Sequence, residues 1–142
     1  MVDLKLNKNI IFTNGCFDLL HIGHIELIKY AKSLGDYLVV GINSDNSVKK
    51  IKGLSRPINN QITRKIILES IRYVDEVVIF DEDTPLKIIK EIQPQIIVKG
   101  GDYKKEDVVG YEFEKLGLLE VKIFNYVNNN STTKIIERIS NR

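Results

Sequence analysis

The chain has 142 residues, 43% of them hydrophobic and 28% charged, which is the usual globular mix in the range of about 100–150 residues where single domains cluster. Disordered, collagenous and disulfide-scaffold classes are excluded. The 21 basic and 19 acidic side chains leave a net charge of +2, too small for a phosphate-backbone binder, so nucleic acid is not an expected partner and any anion site must be local.

The opening residues mix apolar with charged side chains, and no run approaches the ~18 apolar residues of a membrane span. The single cysteine, Cys16, has no internal partner, which suits a reducing compartment. A soluble cytoplasmic protein with no membrane partner is expected, folded as one domain over residues 1–142.

In chain order, short β-branched runs alternate with longer segments whose apolar residues recur at three- and four-residue spacing, a βαβ rhythm. A strand is expected over residues 9–13 and a helix over 22–34, with Gly35 supplying a positive φ where that helix stops. A strand at 37–43 follows. Residues 45–61 then carry Lys49, Lys50, Lys52, Gly53, Arg56 and Pro57 and read as a long irregular connection, either a binding loop or solvated surface. A helix is expected over 61–73 and a strand over 76–80. Thr84 followed by Pro85 reads as a cap with proline at the first helical position of a helix over 85–92, which Pro94 ends by disfavouring helical geometry at Gln93. A strand at 96–99, a helix at 105–116, a strand at 121–125, a polar loop at 128–130 and a helix at 131–139 complete the chain. Nearly all the strand runs are continuously apolar, as in strands buried on both faces. The expected fold is α/β: a Rossmann-like, doubly wound, five-stranded parallel sheet with helices on both faces.

In such sheets ligands bind beyond the carboxyl ends of the strands. After the first strand comes Thr13-Asn14-Gly15-Cys16-Phe17-Asp18-Leu19-Leu20-His21-Ile22-Gly23-His24, which holds both histidines of the protein at a helix opening. A helix start attracts phosphate through unpaired amides and the positive dipole end. Histidines three apart share a helical face and can contact one polyphosphate together. Gly15 permits a sharp turn, and Gly23 permits close approach. Zinc is disfavoured because a catalytic site usually needs three protein ligands and the chain has no further histidine and one cysteine.

The run from Thr13 to His24 resembles the first signature of the nucleotidylyltransferase superfamily, with His21-Ile22-Gly23-His24 matching its HxGH motif. Ser131-Thr132-Thr133-Lys134-Ile135-Ile136 is similar to the second signature, a Ser/Thr-rich turn opening a helix. Asn14 to Asp18, Lys52-Gly53 with Arg56-Pro57, Phe80 to Pro85, and Val98-Lys99-Gly100-Gly101-Asp102-Tyr103 resemble the adenylyltransferases that make ADP-heptose from ATP and D-glycero-β-D-manno-heptose 1-phosphate. The likeness runs from about Ile10 to Ile139 and does not include the sugar-kinase domain fused to these enzymes in many bacteria. Glycerol-3-phosphate cytidylyltransferase is the rival reading, with CTP and a polyol phosphate as substrates. A nucleotide-binding regulatory module is the non-enzymatic one.

The resemblance implies in-line displacement at the α-phosphorus with pyrophosphate leaving. His21 and His24 would serve the triphosphate, His24 stabilising charge at the α-phosphate. Lys52 would reach the α/β-phosphates or the sugar phosphate, with Lys49 and Arg56 as further substrate contacts. Arg64 matches a family position and would clamp phosphate, or else form a surface ion pair. Ser131, Thr132 and Thr133 would donate to a β- or γ-phosphate, although a simple N-cap also explains Ser131. Lys99, Gly100, Gly101 and Asp102 would wall the nucleoside, or else form a plain turn. Asp18 would orient the turn or a histidine, and Cys16 reads as a small packed thiol. Magnesium is expected, bridging phosphate oxygens and water without a dedicated protein cluster, with Asp18 and Asp102 near its water shell. A homodimer is expected, because related enzymes commonly pair.

Overall fold

The computed structural model describes residues 8–125 and 131–141; the expected loop at 128–130 and the opening segment before residue 8 lie outside the described residues. Five strands, β1 (Ile10–Gly15), β2 (Tyr37–Asn43), β3 (Glu76–Phe80), β4 (Ile96–Gly100) and β5 (Glu120–Phe124), pair in parallel in the order β3-β2-β1-β4-β5. The helices are α1 (Ile22–Ser33), α2 (Asp45–Lys52), α3 (Gln61–Glu69), α4 (Leu86–Ile92), α5 (Tyr111–Lys115) and α6 (Thr132–Ser140). This is the expected Rossmann-like α/β sheet.

The continuous apolar runs are explained by two cores. On one face Leu27, Ile28 and Ala31 of α1 and Leu68 of α3 pack with Ile11, Val40, Ile42 and Val98. On the other, Ile88 and Ile89 of α4 and Val108 pack with Phe12, Val39, Ile97 and Val121. Alternate residues of one strand thus serve opposite layers. The strand order reverses at β1, which lies between β2 and β4, so the topological switch point opens beyond Gly15 and Gly100.

Several expectations are corrected. Residues 45–61 are not an irregular connection throughout, because α2 occupies the first half. Ser44 caps it by accepting from the Ser47 amide at 3.1 Å, and the polar surface hides the pattern because Val48 is its one fully apolar buried side chain. Lys52 is therefore the last residue of a helix and not part of a flexible loop. The expected helix at 105–116 splits into a 3₁₀ turn at Lys105–Asp107 and the short α5. The break is Gly110, at φ 101°, where a Cβ would lie 2.7 Å from Ile97 Cδ1. The third helix stops at Glu69, ahead of the expected residue 73. Pro85 takes the cap position of α4, one residue later than expected, while Thr84 Oγ1 accepts from the Leu86 amide at 3.4 Å. Gln93 ends α4 in left-handed geometry, φ 52°. Among the described residues no helix is long and apolar enough to cross a membrane.

Gly35 is required for space, not for a positive φ: α1 is capped by Leu34 in right-handed geometry, Gly35 is absent from the positive-φ glycines, and a Cβ at Gly35 would fall 2.6 Å from the Asn9 carbonyl oxygen. Gly35→Ala is expected to destabilise the protein by about 1–3 kcal/mol through this overpacking, read from the urea midpoint. An unchanged midpoint would show that the α1–β1 approach is looser than described.

Candidate active site

A cavity of about 410 Å³ opens at the carboxyl ends of β1, β2 and β4. Its walls include Asn14, Gly15, Cys16 and Phe17, His21 and His24, Lys52 and Arg56, Lys99, and Ser131, Thr132 and Thr133. A larger cleft, about 800 Å³, runs along β3 and α4 and is lined by Glu76, Asp81, Glu82 and Glu91. Four carboxylates against one lysine, Lys87, would repel a polyphosphate there, so size does not identify the anion site, whereas the smaller cavity holds both histidines and sets Lys52, Arg56 and Lys99 against Asp18 and Asp83.

The loop from Cys16 to Asp18 is shaped by buried polar groups. Phe17 adopts φ 49°, an uncommon conformation for a bulky side chain; its ring covers Gly15 and lies 5.2 Å from the His24 ring centroid. Asp18 is almost wholly buried, and its carboxylate accepts from Arg56 Nε at 3.0 Å and from the Ile58 and Asn59 amides at 2.8 Å each. These bonds hold the turn from Cys16 to Asp18 against the loop before α3, and Asp18 also borders the cavity. Both its oxygens are committed to the loop that carries Arg56.

The role expected of Arg64 is corrected. It is wholly buried, Nε donating to the Asn59 carbonyl, one terminal nitrogen to the carbonyls of Cys16 and Asn43, and the other to Asp45 Oδ1 at 2.9 Å. It is neither a phosphate clamp nor a surface ion pair. A guanidinium fork satisfies several buried carbonyls at once, and here it ties the ends of β1 and β2 to the start of α2 and the loop before α3.

The histidines form a capping box at α1. His21 is the N-cap, its Nδ1 accepting from the Gly23 amide at 3.1 Å, while His24 Nδ1 accepts from the His21 amide at 3.2 Å. The Gly23 amide is thus spent within the protein and not presented to phosphate. Because each Nδ1 accepts, the proton of each neutral ring sits on Nε2. The rings lie 3.9 Å apart, centroid to centroid, and both line the cavity.

The start of α6 reaches the same place. Thr132 Oγ1 donates to the Leu19 carbonyl at 2.7 Å across 113 residues of sequence, and Ser131 Oγ accepts from the Lys134 amide at 3.0 Å. These two hydroxyls fasten and cap the helix, so what α6 offers an anion is its first amides and Thr133. Thr13 is wholly buried, and its Oγ1 has no hydrogen-bond partner among the described residues. Thr13, Gly23, Lys49, Gly100, Gly101 and Asp102 do not line the cavity; Lys49 and Asp102 are exposed, and the Gly101 amide donates to the Phe124 carbonyl at 3.0 Å. Cys16 is half-buried, its Sγ 3.8 Å from Asn43 Oδ1, and burial pushes its thiol pKa up against the pull of Lys52, Arg64, Arg56 and Lys99.

Asn43, Phe80, Asp83 and Tyr103 also line the cavity and are not among the site residues the sequence indicates. Asn43 and Phe80 end β2 and β3, so the strand-end rule that exposes the first loop applies to them equally. Among the described residues no group of three or more His, Cys, Asp or Glu side chains could hold a metal ion.

The family model described as cytidylyltransferase-like matches residues 12–138. The bifunctional protein HldE of a Nitratiruptor species is 53% identical over 135 residues, 95% of this chain and 28% of that protein. HldE of Campylobacter fetus subsp. fetus (strain 82-40) is 54% identical over 135 residues, 95% of this chain and 29% of that protein. The chain thus spans less than a third of the length of these relatives. The crystal structure of the lipopolysaccharide core biosynthesis protein from Thermoplasma volcanium GSS1 superposes with a TM-score of 0.70 at 29% identity, covering 87% of this chain and all of that one.

Burial, then the neighbouring His21, holds the His24 pKa down to about 4, and burial lowers that of His21. The folded protein therefore binds fewer protons than the unfolded chain between about 4 and the ordinary 6.5, and the stability held above that window is lost as pH falls through it. A bound polyphosphate reverses the balance by favouring the imidazolium. Titration of the His24 ring by NMR is expected to give a midpoint near 4 in the free protein, moving up by roughly one unit or more with a triphosphate bound. A free-protein midpoint near 6.5 would contradict the enclosed, capping role of this ring.

Proposed function

Because the chain belongs to the cytidylyltransferase-like family, a family of nucleotidyltransferases, we propose that it transfers an adenylyl group from ATP to a sugar 1-phosphate, D-glycero-β-D-manno-heptose 1-phosphate, giving ADP-heptose and pyrophosphate. The observation that carries this reading is the Thr132–Leu19 hydrogen bond, which brings the start of α6 to the histidine pair around one cavity. Similarity to HldE supports heptose as the sugar, and the 142 residues act as one catalytic domain.

A phosphate oxygen of the sugar 1-phosphate attacks the α-phosphorus of ATP; the new P–O bond forms as the bond to the bridging oxygen of the β-phosphate breaks, and pyrophosphate leaves. No protein nucleophile is needed, so the protein contributes position and charge. His24 stays neutral in the resting site and donates through Nε2 to the oxygens on which negative charge grows. His21 holds the adjoining phosphates, and the first amides of α6 with Thr133 receive the leaving pyrophosphate. Lys52 offers an exposed cation at the end of α2, and Arg56, aimed by Asp18, a fixed one. A magnesium ion arriving on ATP would neutralise phosphate charge; the donor set fits an ion held by phosphate oxygens and water, with Asp83 the carboxylate at the rim. A homodimer in the cytoplasm, where ATP is supplied, belongs to the same reading.

The test is pyrophosphate release from ATP, CTP and GTP, each offered heptose 1-phosphate and glycerol 3-phosphate. ATP with heptose 1-phosphate is the expected pair; CTP with glycerol 3-phosphate would replace it with the cytidylyltransferase reading. With the preferred pair, His24→Ala is expected to lower turnover by about 10²–10³ with the fold intact, and Lys52→Ala to cost more than Lys50→Ala. A normal rate for His24→Ala would remove the histidine from the chemistry.

A further inference from the structure

The outward side of α3 is apolar where a solvent-facing helix is normally polar. Arg64 and Leu68 are its buried residues, and at about 100° per residue Ile62 and Ile66 point almost directly away from them. These two isoleucines are 56% and 57% exposed. Being four residues apart, they form one ridge on the helix surface. Ile58 stands four residues earlier, ahead of the cap Asn60, and Leu54 four earlier again; they are 54% and 90% exposed. Among the described residues eleven large hydrophobic side chains are exposed, and six of them fall between Ile51 and Ile67. Isolated apolar residues on a surface need no explanation, whereas a cluster of them marks a contact.

Area and charge select a second copy of this chain as the cover. Six such side chains, at about 100 Å² each, offer on the order of 600 Å² per copy, which with a polar rim approaches the roughly 800 Å² that each partner buries in a stable interface. On α3 the ridge is flanked by Lys65 and Glu69, one charge of each sign. When two copies of the helix lie antiparallel about a two-fold axis near Ile66, Lys65 of one faces Glu69 of the other, so the face complements itself. The cleft along β3 and α4 does the opposite. In a two-fold contact there Glu76, Asp81, Glu82 and Glu91 would meet their own images, and like charges oppose assembly.

We propose that α3 packs against α3 of a second copy of this chain through Ile62 and Ile66, with Ile58 and Leu54 continuing the contact along the loop that carries Arg56. This rests on the homodimer of the reading above and gives it a surface. Ridges four residues apart interdigitate between helices. Arg56 is held from within by Asp18, and the second copy covers its loop from outside. Assembly thus bears on the rim of the site without adding a charge to it.

The experiment is sedimentation velocity of the 142-residue chain from about 1 to 50 μM, beside the double variant Ile62→Lys, Ile66→Lys, with circular dichroism to confirm the fold. The parent protein is expected to sediment as a dimer and the double variant as a monomer across that range. A monomeric parent protein at the highest concentration overturns the proposal, and so does a double variant that stays dimeric. A parent monomer that instead floats with phosphatidylglycerol vesicles assigns the ridge to a lipid surface and overturns it too. A second measurement does not depend on the folding of the lysine variant. Ile66→Cys, close to its own image across the axis, is expected to form a disulfide-linked dimer on mild oxidation, while Lys90→Cys on the exposed side of α4 does not. Equal cross-linking at both positions, or none at Ile66→Cys, counts against the interface. Neither measurement uses turnover: absence of pyrophosphate release from a dimeric protein defeats the transfer reading alone, and release by a monomeric one defeats the interface alone.

Discussion

The buried Arg64 guanidinium is the constraint on which the site rests. Three carbonyls at the margins of the regular elements, those of Cys16, Asn43 and Asn59, converge on it, and Asp45 balances its charge. Removing the donors would strand those oxygens, and a buried acceptor left without a partner costs about 1–3 kcal/mol. The ends of β1 and β2 and the loop before α3 are consequently fixed together. Asp18 continues the clasp outward by holding the Ile58 and Asn59 amides and aiming Arg56. A cavity rim made of loops thus gains the rigidity of the sheet beneath it, as a site that works by positioning requires.

The histidine pair solves a related problem at the start of α1. A Ser/Glu capping box would satisfy the same amides, but with imidazoles the cap also turns a donor outward, because accepting at Nδ1 leaves the proton on Nε2. Burial keeps His24 uncharged in the resting site, so anion binding and ring protonation are coupled. The lysines and Arg56 then supply permanent charge where the neutral rings supply directed donors.

The parallel sheet is legible in the sequence because its strands are long apolar runs and its helices carry regular spacing. The strand-end rule leads to the first loop, and the second signature leads to α6, 113 residues away at the contact that joins them. What escapes a reading of the sequence follows from physics that acts in three dimensions. The helix α2 is too polar to show a buried stripe, the split before α5 depends on Gly110 lying against Ile97, and Arg64 looks like any helical arginine until the carbonyls around it are seen. Asp18 falls in the right loop with its partners unreadable, since Ile58 and Asn59 lie 40 and 41 residues on. Lys99 reads as one unit with the glycines that follow it, although strand alternation alone sends its side chain to the opposite layer from Val98.

Hydrogen exchange of Arg64→Lys measures the central constraint directly, because lysine keeps the charge and loses the planar fork. Exchange at the Ile58 and Asn59 amides is expected to speed up about tenfold or more, while Phe12 and Val39 in the sheet keep their protection. Unchanged protection at Ile58 and Asn59 in that variant would contradict the account, because the rim would then be held without the guanidinium.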